Sequence, residues 1–204
     1  MHDYVELAFS WFFSNSKGRD AKAFTKGPAF TSHPAPTIQI SSPDCGADGA
    51  TLSPEYMSGE AGRFPQLKWD SVEGVKQWLL ISEDPDAPLP TPICHGIYLG
   101  IDKNKLSVEN DDFKQEGGKS TQLKGGFYYG VNYYKSIYVL PRPLLNHGIH
   151  RYFFDIIALN EPLDSKLVAS NPTREAIAKE INGKVIAWGR WTGQCERKWK
   201  RSAA

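Results

Sequence analysis

The segment His150-Arg-Tyr-Phe-Phe-Asp-Ile-Ile-Ala-Leu159 constrains this chain more than any other. Read at the two-residue period of a strand, both of its faces are apolar, so both must be covered. A helix-period stripe with a polar back is not available to it. Gln77 to Ser82 and Ile93 to Ile101 are further buried-looking runs of strand length. Thr37 to Ser41 alternates, Gln66 to Trp69 is short and apolar, and Lys184 to Thr192 is extended in pattern. Fourteen prolines and eighteen glycines are scattered through 204 residues, which favours many turns between short strands over a helical bundle. The expectation is one domain, mainly β (a β-rich α+β fold), with peripheral helices.

The ends differ from the middle. Asp3 and Glu6 have capping-box spacing, and Val5, Phe9, Phe12 and Phe13 recur near helical period, predicting a short N-terminal helix. Residues 17 to 36 read as a connecting arm, so the chain divides into 1–36, helix and arm packed on the domain, and 37–204, the domain itself. Late in the chain, Asn171 is the expected cap of a helix that begins with Pro172 and is closed by Gly183. Four cations, Arg197, Lys198, Lys200 and Arg201, surround Trp199 near the C-terminus and read as a solvated end.

A net charge of +1 excludes nucleic acid as the main partner, because phosphate neutralisation needs a basic surplus. Cys45, Cys94 and Cys195 are odd in number and far apart, which speaks against a disulfide framework or a structural zinc site. The apolar stretch from Leu7 to Phe13 follows acidic rather than basic residues and reads poorly as a secretion signal. The expected setting is cytoplasmic, with no membrane contact.

Two segments carry the chemistry. Asp84-Pro85-Asp86-Ala87-Pro88 directly follows an apolar strand, and His95 comes seven residues later. Pro85 stiffens that loop and gives its carboxylates fixed directions. The second segment is His147-Gly148-Ile149-His150-Arg151-Tyr152. If it opens a strand, His150 and Tyr152 share one face and Arg151 takes the other. Each feature has a plain reading: an Asp-Pro-Asp turn, a core histidine, a polar strand edge.

Together, in this order and separation, they resemble the signature of the phosphatidylethanolamine-binding proteins: Asp84 to Pro88 with His95, then Tyr138, Pro141, Pro143, Gly148 and His150-Arg151-Tyr152. Ser42-Pro43-Asp44, Leu67-Lys68-Trp69, Gly130 and Asn132 extend the resemblance to roughly residues 37–195, closest to the bacterial and fungal branch. The resemblance implies a large central antiparallel sheet, a smaller sheet packed on it and peripheral helices. It also implies an anion pocket on Asp84, Asp86, Pro88, His95, His150 and Tyr152, with the acids orienting the histidines and keeping them cationic.

The sequence also departs from that family. Gly96 stands where a tryptophan is common, Val139-Leu140 precede Pro141, Tyr133-Tyr134 add aromatics, and the loop before His150 gains His147. These changes suit a larger, greasier ligand than a bare phosphate. Two functions follow. One is a binder of a phosphoryl or lipid headgroup, with a kinase or protease as protein partner. The other, which the apolar lining favours, is a cofactor-free and metal-free enzyme that isomerises or cyclises a hydrophobic secondary metabolite. Its expected acid–base groups are His150 or His147 with Asp84 or Asp86; its expected ligand contacts are His95, Tyr152, Pro88, Tyr133, Tyr134, Tyr138, Leu140 and Pro141.

Overall fold

The computed structural model describes residues 2–59, 62–117 and 120–199, with side chains from Tyr4 onward. The side chain of Asp3, and Lys200 and Arg201 of the basic end, lie outside the described residues. Two sheets form the body. The larger has six strands in the order β2 (Ala50–Thr51), β9 (Val185–Cys195), β8 (His150–Leu159), β4 (Gln77–Asp84), β5 (Ile93–Asp102) and β7 (Tyr128–Tyr129). Its pairings are antiparallel except for the edge pair of β2 with β9, which is parallel. The smaller sheet is β1 (Ile40–Ser41), β3 (Leu67–Trp69) and β6 (Ser107–Val108).

The both-faces-apolar pattern has its cause in this layering. Along β4 and β8, Trp78, Leu80, Tyr152, Phe154, Ile156 and Ala158 enter one buried cluster, which includes Leu67, Trp69 and Val108 of the small sheet. The alternate residues Leu79, Ile81, Ile157 and Leu159 enter a second cluster with Phe24 and Phe30 of the arm and Ile177 and Ile181 of the late helix. Each face of the large sheet is thus covered, so neither can be polar. The arm is part of the core, not a loose tether.

The helices are peripheral: α1 (His2–Phe12), α2 (Ser165–Ala169) and α3 (Arg174–Glu180). None is long and apolar enough to cross a membrane among the described residues. The expected cap of α3 shifts by two residues. Asn171 sits in the left-handed region at φ 54° and makes a turn, Pro172 precedes the helix, and the Thr173 hydroxyl accepts from the Ala176 N–H. The box expected at the start of α1 involves Asp3, whose side chain lies outside the described residues, whereas Glu6 is described. Its carboxylate accepts from the Leu145 N–H at 3.0 Å and from Arg197 Nη1 at 2.6 Å, fastening α1 to the loop before β8 and to the C-terminal segment.

Candidate functional site

Antiparallel pairing brings the site together. The C-terminal end of β4 lies beside the N-terminal starts of both β5 and β8, with Asp84 opposite Ile93 and Glu83 opposite Phe153. Asp84, His95 and His150, far apart in sequence, therefore meet at one end of the large sheet. They border a cavity of about 400 Å³. Most of the rest of its wall is apolar or aromatic: Ala87, Pro88, Leu89 and Ile93, Tyr133, Tyr134, Tyr138, Val139 and Leu140, and Tyr152 beside His95.

Asp84 is held by the turn that follows it. Its Oδ1 accepts from the backbone N–H groups of Asp86 at 2.7 Å and Ala87 at 3.0 Å. Its Oδ2 lies 2.8 Å from His150 Nδ1. His150 Nε2 in turn lies 2.7 Å from His147 Nδ1, and His147 Nε2 lies 2.9 Å from the Phe13 carbonyl at the end of the α1 segment. The partners determine the protons. A carbonyl only accepts, so His147 donates from Nε2; as a neutral ring, in keeping with its lowered pKa, it then accepts at Nδ1, and His150 donates to it from Nε2. Three hydrogen bonds need three protons, and two neutral imidazoles bring two. The third rests on His150 or on Asp84, and either way the assembly is electrically neutral. Burial holds the His147 pKa below the ordinary histidine value, against the opposing pull of the Phe13 hydrogen bond, which agrees with its neutral place in the chain.

His95 is differently placed. Its Nδ1–H donates to the Val139 carbonyl at 2.5 Å. Its Nε2 is buried without a hydrogen-bond partner among the described residues. Burial lowers its pKa, outweighing the raising influence of Asp84 and of the Val139 bond, so the ring is neutral with a lone pair at Nε2. The Tyr138 hydroxyl is likewise buried and unpartnered, and the Tyr152 hydroxyl has at most the weak company of the Cys195 thiol. Burial raises both phenols above their ordinary values, so both remain hydrogen-bond donors. The His95 and Tyr152 rings meet edge to face with centroids 5.1 Å apart.

Several expected roles change in the light of this geometry. Asp86 does not face an imidazole: it receives Arg151 through Nε at 2.8 Å, Nη2 at 2.9 Å and the backbone N–H at 2.9 Å, and Gly18 N–H at 3.1 Å. Burial would raise its carboxyl, but the hydrogen bonds and charge of Arg151 prevail and hold it below the ordinary value. The turn at Pro85 sends Asp86 to the opposite side of β8 from Asp84, where Arg151 points, as strand alternation requires. His147 and Pro141 do not border the cavity either. His147 stands behind His150, and Pro141 is buried with its carbonyl accepting from Ser58. The expectation that the pocket histidines are cationic is contradicted at His95, where burial outweighs the raising influence of Asp84. Gly96 opens no space for ligand: a Cβ there would lie 2.3 Å from the Tyr98 hydroxyl, which donates to the Ile137 carbonyl.

The cavity wall also holds residues that sequence reasoning passed over, among them Ser58, Ser136, Arg142 and Leu144. Arg142 carried a legible signal, a cation between two prolines inside the second motif. Asn132 gave none. Its amide donates to the His95 carbonyl at 3.0 Å and accepts from the Ser136 N–H at 2.9 Å, which holds the Tyr133-Tyr134 loop against the start of β5.

Two packed sheets with a strand-end pocket of these residues define the class. The chain belongs to the phosphatidylethanolamine-binding protein family, whose model matches residues 27–196. It is 45% identical over 200 residues to a phomoidride biosynthesis cluster protein B of Talaromyces stipitatus, covering 96% of this chain and 82% of that one. A protein of the same description from a fungal species is 40% identical, covering 97% and 96%. The fold matches a crystal structure of a putative family homologue, CT736 from Chlamydia trachomatis, with TM-score 0.64, 22% identity and coverage of 80% and 99%.

Proposed function

We propose that this protein is a cofactor-independent enzyme of secondary metabolism that moves a proton within an apolar, carbonyl-bearing substrate, isomerising or cyclising it. The observation that carries the reading is the unpartnered Nε2 of His95, buried in a largely apolar cavity whose wall also carries the phenols of Tyr138 and Tyr152. Such a lone pair is a general base needing no activation. His95 takes a proton from the carbon next to a carbonyl, and the released electron pair passes to the carbonyl oxygen. The Tyr138 or Tyr152 hydroxyl donates to that oxygen as its charge develops. Return of the same proton from His95 to a different carbon of the conjugated system completes an isomerisation. Attack of the enolate carbon on an electrophilic carbon of the same molecule, with the proton delivered to that acceptor, completes a ring. His150, with both nitrogens engaged, positions the wall and does not exchange protons with substrate. The names of the fungal relatives, drawn from a biosynthetic cluster, support a secondary metabolite as substrate.

The headgroup-binding reading is supported less well. A buried phosphoryl dianion needs positive charge, and the Asp84–His150–His147 assembly supplies none in surplus. The test is solvent-deuterium exchange, followed by mass spectrometry, on the small molecules of the native extract. The wild type is expected to label a carbon-bound position, and His95→Gln to slow labelling about 10²–10⁴-fold. Undiminished labelling in His95→Gln would remove His95 from the mechanism. A retained ligand that never exchanges and is displaced by phosphate would favour the binder.

A further inference from the structure

The inner cavity is neutral, but its mouth is not. Arg142 borders both the cavity and the adjoining groove beneath α1, a groove walled by Val5, Phe9, Phe13, Pro88, Leu89 and Leu144. Its side chain is 54% exposed, and the carboxylate nearest it, Glu6, is 3.5 Å from Nη2. That contact is long, and Glu6 is already neutralised: Arg197 Nη1 stands 2.6 Å from Oε1, and the Leu145 N–H also donates to that oxygen. Two guanidinium groups thus share one carboxylate, which leaves one positive charge over at the rim of an apolar cavity. An exposed pair at 3.5 Å is weakly held and readily exchanged for a better acceptor.

The backbone at this point is stiff. Pro141 fixes its own φ, and Pro143 restricts Arg142 to extended geometry. Both prolines are buried. The Arg197 guanidinium also donates to the Pro143 carbonyl at 2.8 Å, which pins the segment from behind. A guanidinium presented from a fixed strap loses little freedom on binding, and its planar fork suits a carboxylate with two parallel N–H donors.

We infer that Arg142 is a carboxylate-recognition residue at the cavity mouth, and that the ligand is an apolar organic acid whose carboxylate pairs with Arg142 while its body fills the cavity towards His95. This deepens the proposed function by naming the substrate class, and it rests on that reading for the direction of the ligand. It uses none of the groups assigned to proton transfer. The two ends of the ligand are recognised by different physics, charge at the mouth and burial with carbonyl hydrogen bonding inside.

The test is binding of decanoate and methyl decanoate to the full chain, followed by calorimetry, with decyl phosphate and inorganic phosphate as competitors. The wild type is expected to bind the acid at least about tenfold more tightly than the ester. Arg142→Gln is expected to weaken the acid to the level of the ester while leaving the ester unchanged, and Arg142→Lys to restore part of the difference. His95→Gln should keep the full acid preference, so failure of the proton-transfer reading and failure of this one are separable. Equal binding of acid and ester, no measurable binding of the acid, or an acid preference that survives Arg142→Gln overturns the assignment. Displacement of decanoate by millimolar inorganic phosphate, or much tighter binding of decyl phosphate, overturns it in favour of a phosphoryl ligand.

Discussion

His150 and His95 are both buried at the edge of one cavity, 2% and 3% exposed, yet they are chemically unlike. His150 opens β8 against the end of β4, where Asp84 takes one nitrogen and His147 the other. His95 lies in β5, where the facing loop offers a single carbonyl and nothing for Nε2. The first ring has both nitrogens taken; the second has Nε2 without a partner among the described residues. Burial alone does not identify a reactive histidine. The number of its hydrogen-bonding sites already taken does.

The widest separation between the two is expected in stability. Asp84→Ala strips His150 Nδ1 of its acceptor and leaves the Asp86 and Ala87 N–H groups without theirs, inside a site where water is scarce. A loss of about 3–5 kcal/mol is expected, as for breaking a buried pair by removing one partner. His95→Gln, which can still donate to Val139, is expected to cost about 1 kcal/mol. Urea unfolding of the two variants measures both. Equal costs would mean that the Asp84–His150 contact is no more structural than His95, and the comparison would collapse.

A smaller effect comes from protons. His95 and His147 both have folded-state pKa values below the ordinary histidine value, with burial as the leading cause. The unfolded chain therefore takes up protons at these positions near pH 6.5, whereas the folded chain takes them up only at lower pH. Their contribution to stability is complete above about pH 6.5 and is lost as the pH falls through the folded values. Asp20, Asp44 and Asp86, held below the ordinary carboxyl value, lose their contribution only around pH 4 and below. Thermal unfolding between pH 7.5 and 5 covers the histidine window, in which the buried carboxyls of Glu83 and Asp155, raised by burial, act with the opposite sign, so the variants rather than the wild type alone separate the histidines. The midpoint should fall across it in the wild type and fall less in His95→Gln and in His147→Gln. Profiles of His95→Gln and His147→Gln that run parallel to the wild type over that range would show that neither ring is held neutral.

The sequence made the scaffold plain and the wiring obscure. The two-faced apolarity of residues 150–159 could be satisfied only between two covered faces, and β8 spans those ten residues. The alternation of His150, Arg151 and Tyr152 was equally readable, since a strand start has two sides. Asp84 and Asp86 were not separable, because their division depends on how the chain turns at Pro85 and on Arg151 waiting across the sheet. The free nitrogen of His95 was hidden for the same reason: it depends on which loop passes Nδ1 and which fails to reach Nε2. Thr173 in place of Asn171 is a local case, decided by a left-handed turn ahead of a proline.

The least costly way to sharpen the contrast is to remove residues 2–13. Among the described residues, helix α1 contributes no side chain to either buried cluster, and it leaves Tyr4, Phe9, Trp11 and Phe12 more than half exposed. What it does supply is the Phe13 carbonyl at the far end of the His150–His147 chain and Glu6 as an anchor to Arg197 and Leu145. Without it, His147 Nε2 meets water in place of a carbonyl. Burial is the leading cause of the His147 shift, so its pKa should rise towards the ordinary value, while that of His95 should not move. Proton NMR titration of the two rings reads this directly, and a stability loss of only about 1 kcal/mol is expected. A larger loss would place α1 in the core. A His95 titration that follows that of His147 would mean that the two rings share one environment after all, and that the saturated and the open histidine are not independent.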